Sequence, residues 1–302
     1  MSVEDNNKFI SVIVPAHRAM GCLRDCLEAL SRQSYDADCY EVIVVDNGQN
    51  EGIEDLVSAY DFCHCIEEKM PGSYSARNTA IEHAKGDVLA FTDADCVPDR
   101  EWLAEGLRVL LSVDRVGVVG GCIEVVLPWD GDKQLNAAQI YEKYISFDQK
   151  GYVETKRFAA TANMFTTRSV LEDVGFFDAR LFSGGDLEFG NRVATAGYEV
   201  RYAERAIIRH PARDGLQDLM AKARRLAGGE VMLARLDIRH YTIRDWVNTI
   251  VPPLVLSWRL ARTQKIAAPA RSRMMAIGVL NLLHVIAFFE RIAIYCGKTP
   301  RR

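Results

Sequence analysis

The sequence predicts an α/β fold: a mainly parallel central sheet flanked by helices, followed by a helical C-terminal appendage. Three observations lead there. Short β-branched runs alternate with helix-patterned segments through the first hundred residues, and that rhythm builds a parallel sheet with helices on its faces. The composition is that of a globular chain, with 302 residues, 49% hydrophobic and 26% charged. After Arg213 strand patterning gives way to basic and apolar helical stretches. The expected organisation is one domain over residues 1–214 and a helical region over 215–302.

The elements follow in order. Ile10–Pro15 and Glu41–Asp46 are apolar runs of the length and β-branched content of buried strands. Between them, Leu23, Leu27 and Leu30 fall on one side of a helix over Met20–Ser31. Ile53–Tyr60 reads as a helix, Phe62–Ile66 as a third strand, and Tyr74–Ala84 as a helix stopped by Lys85-Gly86. Asp87–Thr92 is the fourth strand and Glu101–Leu111 the next helix. The middle is less regular. Val116–Val126 is patterned as strand interrupted by Gly120-Gly121, Gln139–Phe147 as helix, and Ala159–Thr167 as a strand leading into a helix that ends at Gly175. Leu187–Ala196 is a helix closed by Gly197, followed by two short strands, Tyr198–Ala203 and Ala206–His210. In parallel sheets ligands bind beyond the carboxyl ends of the strands, which here selects Pro15–Arg18, Asp46–Gly48 and Asp93–Cys96.

Leu216–Leu236 is a basic amphipathic helix interrupted by Gly228-Gly229, Trp246–Leu260 is apolar around Pro252-Pro253, and Arg262–Arg273 is a basic linker. Met274–Phe289 is apolar but for Asn281 and His284. At about 16 residues it falls short of the ~20 that cross a bilayer. Two readings stay open for this region: helices lying on a membrane surface, or helices packed on the body. Residues 216–302 carry 15 Lys/Arg and five Asp/Glu, so a tail of about +10 follows a body of about −14. That imbalance points to an anionic partner, either lipid headgroups or phosphates. No nucleic-acid-binding signature accompanies it. The polar, acidic start MSVEDNNKF is no signal peptide, and eight scattered cysteines suit a reducing compartment. The expected location is cytoplasmic, at most peripheral on the membrane's cytoplasmic face. Cys63-His64-Cys65 matches no zinc spacing and reads as a strand with buried thiols.

The strongest chemical signal is FTDADCVP, residues 91–98. Asp93 and Asp95 follow a buried strand, and alternation in an extended chain would put both on one side. Paired carboxylates suit Mg²⁺ or Mn²⁺ bound together with substrate phosphates. Five segments in one order, SVIVPAHR (11–18), EVIVVDNG (41–48), GSYSARNTAI (72–81), AKGDVLAFTDADCVP (84–98) and NMFTTRSVLEDVGFFDARLFSGGDLEFGNRVATAGY (163–198), resemble glycosyltransferase family 2, the inverting enzymes of GT-A fold. The resemblance covers roughly residues 9–211. It implies the GT-A (nucleotide-diphospho-sugar transferase) fold, a nucleotide-sugar donor, a glycan or lipid-linked acceptor, and a divalent cation.

Backbone groups of Pro15 and Ala16 can meet the base, and the Asp46 carboxylate can accept from a base N–H or a ribose hydroxyl. The family commonly has two acids at that turn; here the second is Asn47. The resemblance places Arg77 near the diphosphate, a natural partner for a guanidinium, with Arg18 as a weaker phosphate candidate. Asp93 and Asp95 match the D-x-D and are both expected at the metal, Asp95 as the direct ligand and Asp93 reaching the ribose as well, and His210 matches a histidine that some GT-A enzymes add as a third ligand. SGGDLEF (183–189) resembles the segment that supplies the catalytic base. Asp186 is the expected base, at a helix start where the dipole favours a carboxylate, and Glu188 is the reserve. Gly185 stands where the family usually has Glu.

Processive synthases of the family carry Gln-x-x-Arg-Trp after the base. Here the stretch is Lys222-Ala-Arg224-Arg225-Leu226, so one sugar per encounter is expected. Two alternatives remain. A nucleotidyltransferase would open with a Gly-rich loop, which PAHRAMG lacks. A catalytically inactive GT-A-like scaffold that binds nucleotide-sugar or membrane is the reading that Asn47 and Gly185 motivate.

Overall fold

The computed structural model describes residues 8–48, 50–127, 135–213, 215–236, 238, 249–263 and 269–300. The chain divides into two compact units. The first comprises Met1–Glu124, Phe147–Arg180 and Gly185–His210. It holds the sheet, whose strands are β1 (Ile10–Ala16), β2 (Tyr40–Asp46), β3 (Cys63–Glu67), β4 (Val88–Thr92), β5 (Val97–Pro98), β6 (Val116–Val126), β7 (Asn163–Thr167) and β8 (Glu199–Pro211). Their order is β3-β2-β1-β4-β7-β6-β8-β5. The α/β class holds, with a mixed sheet. β3-β2-β1-β4 is parallel, as the strand–helix alternation requires. Beyond β4 the ladder turns antiparallel, at β4–β7, β6–β7 and β5–β8.

Helices α1 (Met20–Leu30), α2 (Ile53–Val57), α3 (Ser73–His83) and α4 (Trp102–Leu110) connect the early strands. α1 buries Leu23, Cys26, Leu27 and Leu30, the stripe its sequence spacing predicts. The Tyr198–Ala203 and Ala206–His210 segments form one continuous strand, β8. Gly120-Gly121 lies inside β6 rather than breaking it. A Cβ at Gly121 would stand 2.4 Å from the Asn163 side chain. That buried amide donates to Cys122 O at 2.8 Å and Ala206 O at 2.9 Å, so it ties β7 to β6 and β8.

α5 (Ala137–Ile145) opens on a capping box at Asn136. α6 (Gln149–Lys156), capped by Asp148, has no counterpart in the sequence reading, because its glycine and weak apolar period hide it. α7 (Arg168–Val174) and α8 (Gly185–Thr195) follow.

The second unit comprises Val125–Ser146, Leu181–Gly184 and Pro211–Arg302. α9 (Leu216–Arg235) runs unbroken through Gly228-Gly229. A Cβ at Gly229 would lie 2.5 Å from Ser183 O, so the glycine marks close backbone approach. A helix over Leu254–Arg262 starts directly after Pro252-Pro253; positions 246–248 of the apolar stretch, and 264–268 of the linker, lie outside the described residues. The apolar run expected at about 16 residues is the middle of a 26-residue helix, Ala270–Tyr295. By length and composition that helix could cross a membrane. The sequence reading cut it at the charges Arg273 and Glu290, which the helix incorporates. Ala276, Leu280, Leu283 and Ile294 form its buried stripe. Leu283 and Val279 pack with Ala138 of α5 and Leu219 of α9.

Candidate active site

The three loops singled out in the sequence all lie at the carboxyl ends of the parallel strands. Ala16 pairs with Asp46 across β1 and β2. Asp46 is committed to its own loop: Oδ1 accepts from Gly48 N at 3.0 Å and from Asn50 Nδ2 at 2.7 Å, and Oδ2 accepts from Asn50 N at 3.1 Å. The Ala16 carbonyl accepts from Asn47 N at 2.9 Å. Asn47 explains its own amide. Its Nδ2 donates to Glu68 O at 2.7 Å and Met70 O at 2.8 Å, while Oδ1 accepts from Gly72 N at 2.9 Å. An aspartate could make only the last of these bonds. Pro15 is half-buried beside them. Arg18 is exposed with φ 51°, in the left-handed region, and contacts none of the other predicted site residues through a hydrogen bond among the described residues.

The two aspartates of the D-x-D part company. After β4 the chain turns at 94–95 instead of staying extended, so strand alternation no longer sets their directions. Asp93 Oδ1 accepts from Arg77 Nη2 at 2.6 Å. Arg77 is buried on α3, also donates to Ser73 O at 3.3 Å, and keeps an Nε with no partner among the described residues. Asp95 faces the other way. Its Oδ2 is 3.6 Å from His210 Nε2, which the β5–β8 register, Val97 against Arg209, carries to this turn. The His210 ring is buried, 4.6 Å from that of Phe147.

Among the described residues, Asp95, Cys96 and His210 have ligand atoms within 4.8 Å of one another. This donor set fits a divalent cation. A carboxylate 37% exposed meets a buried imidazole and leaves an open side for substrate oxygens. Burial, with Asp93 and Asp95 close by, pushes the Cys96 thiol well above the ordinary range; Asp95 and His210 supply the oxygen and nitrogen donors of the set. Cys63 and Cys65 are likewise raised by burial, to about 12 and about 11, on strand β3.

α8 begins at Gly185. Asp186 Oδ1 accepts from Leu187 N at 2.9 Å and from the Tyr74 hydroxyl at 3.3 Å, while Asp186 N donates back to the Tyr74 oxygen at 3.2 Å. Its Oδ2 bonds to none of the described residues. Burial raises the Asp186 carboxyl above its usual value, against the backbone bond from Leu187, the charge of Arg77 and the Tyr74 hydroxyl. Glu188 is differently placed: both oxygens are held by Arg192, at 2.5 and 2.8 Å. Arg192 also caps the Val174, Gly175 and Phe176 carbonyls that end α7. Glu188 therefore braces α8 against α7.

Tyr74 is the residue bonded to Asp186 that the sequence did not single out. Its ring occupies the space a side chain at Gly185 would need; a Cβ there would lie 2.7 Å from Cε2. Arg77, one turn further along α3, lies 5.8 Å from the same ring. The signal was available as the i, i+3 spacing of Tyr74 and Arg77 on one helical face.

The profile of glycosyl transferase family 2 matches residues 11–175, a span that ends directly after α7 and includes Pro15, Ala16, Arg18, Asp46, Arg77, Asp93 and Asp95 but not Asp186, Glu188 or His210. The chain belongs to glycosyl transferase family 2. It is 35% identical to Glycosyltransferase AglE of Haloferax volcanii over 96% of this chain and 95% of that one. It is 24% identical, over 64% of this chain and 63% of the other, to a Methanococcus voltae enzyme named dolichyl N-acetyl-alpha-D-glucosaminyl phosphate 3-beta-D-2,3-diacetamido-2,3-dideoxy-beta-D-glucuronosyltransferase. In fold it resembles the mannosyltransferase PcManGT from Pyrobaculum calidifontis, solved with GDP-Man and Mn²⁺, with a TM-score of 0.64 at 19% identity, covering 95% of this chain and 87% of that one. This family 2 chain is thus a glycosyltransferase of GT-A fold.

Proposed function

We propose that this glycosyltransferase moves one sugar per encounter from a nucleoside-diphosphate sugar to a lipid-linked glycan acceptor at the cytoplasmic face of a membrane, with inversion and with a divalent cation. The observation that carries the reading is the divided D-x-D turn, with Asp95 toward His210 and Asp93 toward Arg77. Asp95 and His210 would hold the cation, which when bound offsets charge on the departing diphosphate. An imidazole ligand favours Mn²⁺ over Mg²⁺. Arg77 sits beside the leaving group, with its Nε still free to donate to a phosphate oxygen. The acceptor hydroxyl attacks the anomeric carbon, the bond to the diphosphate breaks, and Asp186 Oδ2 takes the hydroxyl proton. Backbone at Pro15–Ala16 lines the base site. Asp46 shapes that loop.

GDP-mannose with Mn²⁺ is the first donor to try, since PcManGT was solved with both. The M. voltae relative, named for a dolichyl phosphate-linked acceptor, supports a lipid carrier. The inactive-scaffold reading loses its motivation, because Gly185 makes room for Tyr74 and Asn47 pins three backbone groups.

A thermal-shift screen of GDP-, UDP-, CMP- and dTDP-sugars, each with Mn²⁺ or EDTA, tests donor and metal together. Metal-dependent stabilisation by one nucleotide class is expected, and Asp95→Asn abolishes it. Asp186→Asn keeps the shift and lowers transfer by about 10²–10⁴-fold. Donor binding unaffected by EDTA sinks the metal assignment, and NMR of the product's anomeric centre decides inversion.

A further inference from the structure

Exposed large apolar side chains concentrate at the end of the second unit. Leu254 is 66% exposed, Val255 67%, Trp258 57%, Met274 62% and Phe289 63%. The two helices that carry them lie antiparallel: Ser257 meets Asn281, and Leu260 packs with Ala276 and Ile277. Soluble surfaces rarely leave so many large apolar side chains open on two packed helices. The charge around it is one-signed. From residue 249 to 300 the sequence holds seven Lys/Arg and a single acid, Glu290, and Glu290 is taken by Lys298 at 2.6 Å. Arg259, Arg262 and Arg271 are exposed at the ends of the apolar faces. The Arg262 guanidinium sits over the Trp258 ring at 4.7 Å, a pair with an apolar body and a cationic tip, suited to a headgroup boundary.

We propose that the apolar face of the Leu254–Arg262 and Ala270–Tyr295 helices docks into an anionic lipid bilayer, lying in its interface without crossing it. Crossing is opposed by the buried side of the long helix. Ala276, Leu280, Leu283 and Ile294 are buried, and the helix packs on α5 and α9. Arg291, near its end, pairs with Glu230 of α9 at 2.6 Å. α9 also carries Lys222, Arg224 and Arg225. A spanning Ala270–Tyr295 helix would have to shed α9 or draw those charges into hydrocarbon. A helix buried along one side, apolar along the other and flanked by arginines is the arrangement of a monotopic anchor.

This surface does not depend on the transfer reading, and its test uses neither donor nor acceptor. The full chain is floated with vesicles of phosphatidylcholine alone or mixed with phosphatidylglycerol, then washed at high salt and in alkaline carbonate. Expected are flotation with the mixed vesicles only, release by carbonate, and a blue shift of tryptophan fluorescence that Trp258→Phe removes. Arg259→Ala with Arg262→Ala weakens binding by about fivefold per charge. Trp258→Ser with Phe289→Ser weakens it by more than about tenfold, with unchanged circular dichroism because both residues are exposed. Absence of flotation on mixed vesicles overturns the proposal. Retention through carbonate overturns the in-plane placement. A stable dimer of the wild-type chain that Trp258→Ser with Phe289→Ser converts to monomer shows that a second copy, not lipid, covers the face.

Discussion

At the residue scale the informative contact is Tyr74 against Gly185 and Asp186. The glycine looks like a lost acid in the sequence, yet in space it is the room that an aromatic ring needs. The Tyr74 hydroxyl then fixes one oxygen of Asp186 and leaves the other open. Tyr74→Phe keeps the ring and deletes the hydroxyl. The hydroxyl makes two bonds to Asp186, one to Oδ1 and one from its N–H; a hydrogen bond to a charged group is worth about 1.5–3 kcal/mol, so transfer drops by roughly tenfold or more and the melting temperature falls by a few degrees. The pH profile carries the sharper signature. Burial holds the Asp186 carboxyl above its ordinary value in the fold, so its proton is retained to higher pH and the base function proposed for it is lost as pH falls through that raised value. The Tyr74 hydroxyl pulls it down, so the acid limb of Tyr74→Phe moves to higher pH. An unmoved limb would leave Tyr74 a packing residue alone.

At the scale of elements, α5 and α9 are joined by a buried charge cluster. Glu142 is fully buried and accepts from Ser146 Oγ at 2.6 Å, Lys222 Nζ at 2.8 Å and Arg213 Nη1 at 3.2 Å. Burial alone would raise its pKa; Lys222, Ser146 and Arg213 outweigh that and lower it. Lys222 is lowered as well, by its own burial and the nearby arginines. Two cations facing one carboxylate favour the charged form of Glu142, while burial and Arg213 disfavour that of Lys222. Lys222→Met removes one partner and is expected to destabilise by about 3 kcal/mol in chemical unfolding at neutral pH. Because the folded pKa of Glu142 is depressed, its contribution is present above about 4.5 and is lost as pH falls through the lower folded value. The gap between wild type and Lys222→Met should therefore close in acid. The Lys222 stretch, read in sequence against a processive motif, turns out to serve this cluster.

At the scale of the whole molecule, the helical end of the chain shares its apolar core with α5. Ala138 and Ile140 of α5, placed by the sequence inside the catalytic region, pack with Leu219, Leu283, Leu260 and Ala276. A chain ending at residue 214 would strip these apolar residues of their partners. It is expected to be insoluble or to unfold non-cooperatively, where removal of an independent appendage would leave a stable domain. Denaturant melts of the truncated chain check this.

The strand–helix alternation of residues 10–111, the D-x-D after β4 and the five ordered segments are local patterns, and local patterns are what a sequence displays. They determined the fold class, the family and the loops where the candidate site lies. The direction of each side chain was decided only by packing. Asp93 and Asp95 diverge because the chain turns between them, Asp46 closes on its own loop, and Glu188 is bound by Arg192 from its own helix. His210 reaches the D-x-D through an antiparallel register set more than a hundred residues away. Tyr74 and Gly185 are equally distant in the chain and meet only because the fold brings α3 against α8. The same holds for the long helix. Its charges cut it short in the sequence, whereas in the structure Glu290 has Lys298 and Arg291 has Glu230, and with partners in place the helix runs on.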